Sequence, residues 1–500
     1  MKDIRVFPKV VYKKVILSGI MLMMSGCMTL GPDYNRPEVT LQENWLESQK
    51  TPLLNESPQE KLWWKTAFNE PQINELIDLA LKQNLSLRSA GLKVLQSQQQ
   101  LAIAIGNQYP QQQQLSGGKN RNKSDSVVFN QYDLGFNLSW EIDFWGRFKR
   151  QIESASENLE ASVANYDEIV VSLISQVAQT YILIRTYQDR VQVARQNIHL
   201  QKESLRIARA KFRAGDVSEL DVDQAETLLN NTKATVPSLE TSLQQFKNNL
   251  SFLLGKPPQE LNYLLQTTQA IPSTRISIAL GMPQDIIRQR PDIRAAEHRL
   301  AAQSAQIGFA QSDLYPHLFI GGSIGTSASH SNDLFESQSE VWDVFGLFEW
   351  KLFNYGRLKS NVRLQDARFQ QLLVDYRNAI LQSQVEIENA IVAYFKSHEQ
   401  LKSYKLAAEA SQRAIDVSKT QYQNGLIDFN TVISTLRAHV QQLDLLSSTQ
   451  GTVATNLVQV YKALGGGWKV RNDQDPVDLL PSDMKEIMRD RTKYWEDVLH

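Results

Sequence analysis

Apolar residues fall at every seventh position through two long stretches of the chain. Val163, Val170, Val177, Ile184, Val191, Ile198, Leu205 and Phe212 form one unbroken column, and Leu373, Ile380, Ile387, Tyr394, Leu401, Ala408, Ile415 and Tyr422 form another. Each column lies within 68 residues free of glycine and proline, 147–214 and 357–424, bracketed by Gly146 and Gly215 and by Gly356 and Gly425. The pattern predicts two helices about 100 Å long, supercoiled left-handedly against neighbours. A fibrous coiled coil would show the same columns; the segments between them distinguish the cases.

There the period changes to two. Leu134, Phe136, Leu138, Trp140 and Ile142 alternate with Gly135, Asn137, Ser139, Glu141 and Asp143, a strand with one apolar face. The polar stretch 112–123 is its expected partner. A second hairpin is expected from 318–326 with 342–353, where Trp342, Val344, Phe348, Trp350 and Leu352 share a face. Helices are expected at 84–109, 217–254 and 427–464, with a kink or irregularity at Pro237.

The pattern is duplicated. Tyr109-Pro110 returns as Tyr315-Pro316, Arg88 as Arg294, Trp140 as Trp350, Gly146-Arg147 as Gly356-Arg357, and Leu254-Gly255 as Leu464-Gly465. This divides the chain into a segment 27–83 that carries one helix, repeat one at 84–285 (hairpin about 112–145), repeat two at 286–468 (hairpin about 317–355) and a tail, 469–500. Two hairpins make four strands. In lipid an open four-stranded sheet leaves unpaired edges, so two, three or four copies are needed to close a barrel.

Lys2, Arg5, Lys9, Lys13 and Lys14 precede the short apolar run 15–24, which is too short to span a bilayer. Residues 1–26 read as a signal peptide. Cys27, the only cysteine, stands where a lipobox carries the acylated thiol, and Met28 after it favours the outer membrane. A net charge of −1 gives no reason to expect nucleic acid. The seven histidines lack metal-ligand spacing, Gly465-Gly466-Gly467 precedes Trp rather than the Lys of a phosphate loop, and no catalytic constellation appears. Neither an enzyme nor a cofactor is expected.

Tyr461 to Trp468 (YKALGGGW), Gly31-Pro32-Asp33-Tyr34, Arg36-Pro37, Trp63-Trp64, Arg290-Pro291-Asp292-Ile293 and the paired glycines together resemble the outer membrane factors, TolC-like exit ducts of tripartite efflux pumps. The resemblance covers residues 27 to about 468. It implies a mainly α protomer with a membrane β-barrel, three copies forming a 12-stranded barrel on a long α-helical barrel. It also implies a periplasmic adaptor and an inner-membrane pump of the resistance-nodulation-division class, passing drugs or other small toxic solutes. At the helix tips, Gly215, Ser218, Gly425 and Ile427 would face the adaptor. Family members latch the resting aperture with a Tyr, a basic residue and an Asp; Tyr422 and Asp221 hold two of those places, and Ile427 replaces the basic one. Thr431 and Ser434 stand where relatives often place acids at the aperture, and Asp428 is the nearest carboxylate. Two other readings are an exit duct for polypeptide and a non-conducting coiled-coil lipoprotein.

Overall fold

The computed structural model describes residues 28–39, 45, 54–55, 62–125, 127–258, 265, 269–274, 278–279 and 283–499. The proposed signal peptide and Cys27 lie outside the described residues. Helices α1 (Trp63–Phe68), α2 (Pro71–Gln83) and α3 (Leu85–Gly106) lead into strands β1 (Gln112–Ser124) and β2 (Val127–Ile142). Next come α4 (Arg147–Ala214) and α5 (Glu219–Leu253). From α2 onward the order recurs as α6 (Pro283–Gln289), α7 (Pro291–Ser312), β3 (His317–Ala328), β4 (Glu340–Glu349), α8 (Arg357–Gln423) and α9 (Phe429–Ala463). A short helix, α10 (Ser482–Arg491), lies in the tail.

The element ends depart from the sequence reading in several places. Helix α8 ends at Gln423, one residue early. Strand β4 stops at Glu349, so Trp350 and Leu352 are not on its face; a tight turn, with the Leu352 N–H donating to Trp350 O at 3.0 Å, takes the chain out of the sheet. Helices α3, α5 and α9 start and stop one to three residues inside the expected bounds, and α5 carries Pro237 within it. A two-residue parallel pairing of Leu54–Asn55 with Ile278–Ala279 has no counterpart in the sequence pattern.

The chain forms two compact units. The first comprises the described residues within 28–38, 95–162 and 295–377 and contains an antiparallel sheet in the order β1-β2-β3-β4. Its hairpins join through β2 and β3, with Trp140 opposite Ile320. The repeat-related indoles do the same work: Trp140 Nε1 donates to Gln108 O at 3.1 Å and Trp350 Nε1 to Leu314 O at 3.0 Å. Residues 28–36 form a strap. The buried Arg150 guanidinium donates to Leu30 O, Gly31 O and Asp33 and pairs with Glu153. Gly31 (φ +90°) lies so close to Gly308 that a Cβ would fall 2.3 Å from its Cα, which excludes any larger residue.

The second unit, the described residues within 39–94, 163–294 and 378–499, brings Trp63-Trp64, Arg290-Pro291 and the Tyr461–Trp468 run together. Trp63 and Trp64 are fully buried, and Trp63 stacks on Tyr461 at 4.7 Å. Gly466 and Gly467 fit against these indoles, where a Cβ would press on the rings. Arg290 Nη1 caps α9 through Ala463 O at 2.7 Å while the same guanidinium holds Asp292 and Glu386. Buried Asp167 accepts from Arg471 at 2.7 Å and from Arg294 at 3.5 Å, and Arg294 lies over Trp468.

The paired helix tips as candidate gate

Both tips lie in the second unit, and each long helix ends the same way. Gly215 has φ +82° and donates to Phe212 O, while the Asp216 N–H reaches back to Lys211 O. Gly425, at φ +73°, donates to Tyr422 O, and the Leu426 N–H reaches Gln421 O. These are Schellman turns, which need a residue at positive φ. A Cβ on either glycine would meet nothing within 4 Å, so conformation rather than space selects glycine.

The returning helices start differently. Ser218 precedes α5 in extended geometry, makes no side-chain cap and is exposed. Asp428, its counterpart, caps α9: Oδ1 accepts from the Thr431 N–H at 2.8 Å and from Thr431 Oγ1 at 2.9 Å. These bonds hold the Asp428 carboxyl below its ordinary range. Ser434 Oγ in turn donates to Thr431 O at 2.8 Å. Asp428, Thr431 and Ser434 thus form one hydrogen-bonded series from the cap into the second turn, all three exposed.

Behind them Leu205, Ala208, Ala225, Leu229, Tyr422, Phe429, Val432 and Leu436 are among the side chains of one buried cluster drawn from all four helices. Ile427 packs against this cluster and is half-buried, so it is part of the tip's packing as well as a surface position. The Tyr422 ring tilts on Phe429 at 5.1 Å. Its hydroxyl is buried and has no hydrogen-bond partner, and the Tyr422–Asp221 bond expected from the sequence is not made in this structure. Burial pushes the phenol up to about 12, and the Asp221 and Asp216 carboxylates add to the rise. Burial also raises the Asp221 carboxyl, with the Asp428 charge adding. The tip therefore gathers Tyr422, Asp221 and Asp428 within electrostatic reach while leaving the phenol unpaired.

Two features escape the sequence pattern. Lys211 Nζ lies 4.8 Å from the Tyr422 ring centroid, a cation–π contact from one repeat to the other. Its position opposite Gln421 in the duplication is the only cue. Leu220 and Leu426 are 60% and 72% exposed beside the turns, where polar residues would be ordinary. Among the described residues no cluster of His, Cys, Asp or Glu could hold a metal.

The sequence profile described as outer membrane efflux protein matches residues 76–256 and 282–466, one stretch for each repeat. The chain belongs to this family. Its relatives include the cation efflux system protein CusC of Escherichia coli, 28% identical over 91% of this chain and 99% of CusC. The probable outer membrane lipoprotein SilC of Salmonella typhimurium is also 28% identical, over the same shares. Among solved structures the outer-membrane channel OprN matches with a TM-score of 0.84 and 30% identity, over 88% of this chain and 99% of OprN. As a member of the outer membrane efflux family, the protein is an outer-membrane channel protein and not an enzyme.

Proposed function

We propose that the protein is the passive exit duct of a tripartite efflux pump. Three copies would close a 12-stranded barrel in outer-membrane lipid, continued by an α-helical tunnel that meets a periplasmic adaptor and an inner-membrane pump of the resistance-nodulation-division class. The observation that carries this reading is the four-stranded sheet with apolar side chains exposed along it. Phe136, Ile324, Trp342, Val344 and Phe348 face outward at 39–82% exposure, and among the described residues neither outer edge, on β1 or β4, has a partner strand. Lipid and further copies satisfy both demands together.

The finer assignments follow the same reading. Acylation at Cys27 would anchor the chain. The strap Thr29–Asp33, tied to Arg150 and the Trp145 carbonyl, would hold that anchor beside the strand–helix junction. The tips at Gly215, Ser218, Gly425 and Ile427 would receive the adaptor, with Leu220 and Leu426 the apolar contacts. Bulky polar substitutions at Leu426 should break adaptor crosslinks; crosslinking that survives them removes docking from this tip. Asp428, Thr431 and Ser434 would line the aperture, and Tyr422 with Asp221 would latch it.

Small organic toxicants fit this duct better than soft cations, because only Met28, Met282, Met484 and Met488 follow Cys27 and offer no thioether path. Purified protein in planar bilayers should give discrete, voltage-tolerant conductance steps. A silent bilayer would instead support the non-conducting coiled-coil lipoprotein.

A further inference from the structure

We propose a second site, within the helical unit, for a small amphipathic anion. A cavity of about 620 Å³ opens between α4, α5 and α9, within the size range of small-ligand pockets. One wall is apolar, with Leu228 and Val440 among its residues. The opposite chemistry is a set of donors. Asn197 is 2% exposed and lines the cavity, and its Nδ2 has no hydrogen-bond acceptor. A buried amide donor without a partner costs stability, so it marks a place where an acceptor is wanted.

The charges around it do not cancel. Arg190 and Asp444 also border the cavity, and they neutralise one another through Nε–Oδ1 and Nη2–Oδ2 bonds at 2.8 and 3.0 Å. Arg437 borders it too and forms no ion pair among the described residues. One free guanidinium and one orphan amide N–H beside an apolar wall fit a carboxylate, sulfate or sulfonate head on a short hydrocarbon tail. A cation would meet Arg437 with nothing left to balance it. The site requires no assumption about conduction.

The test uses the full protein in phosphatidylcholine nanodiscs, with octanoate as probe and octylamine as the opposite charge, followed by calorimetry. Octanoate should bind saturably and octylamine should not compete. Arg437→Gln, a surface change that leaves folding alone, should weaken octanoate about tenfold, the share of one charge-assisted bond. Asn197→Leu should weaken it comparably without lowering the melting temperature, since it removes an unsatisfied donor. Thr235→Cys, on a Cys27→Ser background so that the introduced thiol is the only one, should react with a maleimide and lose octanoate. Unchanged binding in Arg437→Gln, or competition by octylamine, overturns the site. A thiol that stays unreactive in the Thr235→Cys variant would show that a neighbouring copy fills the cavity and would overturn it equally.

Discussion

Tyr422 occupies the last place in a heptad column and also the tip of a candidate gate, and its two ends answer to different demands. The ring is held by Phe429 and by the Lys211 charge; the hydroxyl is buried with no partner. Tyr422→Phe keeps the first and deletes the second. Because an unsatisfied buried hydroxyl contributes nothing favourable, the variant should unfold within about 0.5 kcal/mol of wild type or later. If the phenol latches to Asp221 in the closed channel, conductance of the Phe variant should rise; wild-type conductance would leave only the packing role. Glu168 offers a separate test by pH. Burial, with Asp292 and Glu386 adding and Arg290 and Lys462 opposing, pushes its carboxyl from 4.5 up to about 7. The folded state then binds a proton that the unfolded chain has lost, so the destabilising contribution is absent below pH 4.5, builds as pH rises and is complete above about 7. Glu168→Gln should stabilise the protein by roughly 2–3 kcal/mol at about pH 8 and by nothing at about pH 4. Urea midpoints at both values check the sign, and equal gains at the two would exclude this origin.

At the scale of elements, what was legible in the sequence is what depends on local pattern. The heptad columns and their bracketing glycines mark α4 and α8 because a supercoiled seam and a positive-φ turn each demand a residue type at a fixed place. The alternation in β2 is equally local. Trp350 and Leu352 read as strand because alternation carries no signal for where pairing stops; the turn at Trp350 O ends it. The strap on Arg150 and the ties of Asp167 to Arg471 join residues more than a hundred positions apart, and no spacing rule reaches them. The Arg-Pro-Asp-Ile motif is visible as a motif, but its job is not. Arg290 caps the end of α9 and gathers two carboxylates, so Arg290→Ala removes the guanidinium from the Ala463 carbonyl and both acids and leaves Glu386 only its bond from Gln382. The cost should be about 2 kcal/mol or more, seen as an earlier melt. Arg290→Lys keeps the charge but not the planar fork and should recover only part of the loss. A melt unmoved by Arg290→Ala would mean that the helix end is satisfied by water instead.

For the whole molecule the question is what fastens it to the membrane, the sheet or the lipid. The sheet presents Val344 at 82% exposure and Phe348 at 70%, surface that water penalises and lipid does not. An acyl chain adds about 0.8 kcal/mol per buried CH₂, but one chain alone gives only marginal binding. The two contributions would therefore differ in kind: a sheet with its edges paired inserts by its own apolar surface, and an acyl chain at Cys27 would add to that. Gly31 against Gly308 and Arg150 around Leu30, Gly31 and Asp33 fix the strap, so an anchor at Cys27 would have little slack. Cys27→Ser should abolish incorporation of a fatty-acid analogue, because the chain has no other cysteine. Incorporation that persists would remove the lipoprotein assignment. Trimers of the variant that do reach the membrane should resist extraction by high salt as wild type does, since a closed barrel needs no acyl chain to stay. Release of the variant by salt would show instead that the lipid, and not the sheet, holds the protein in place.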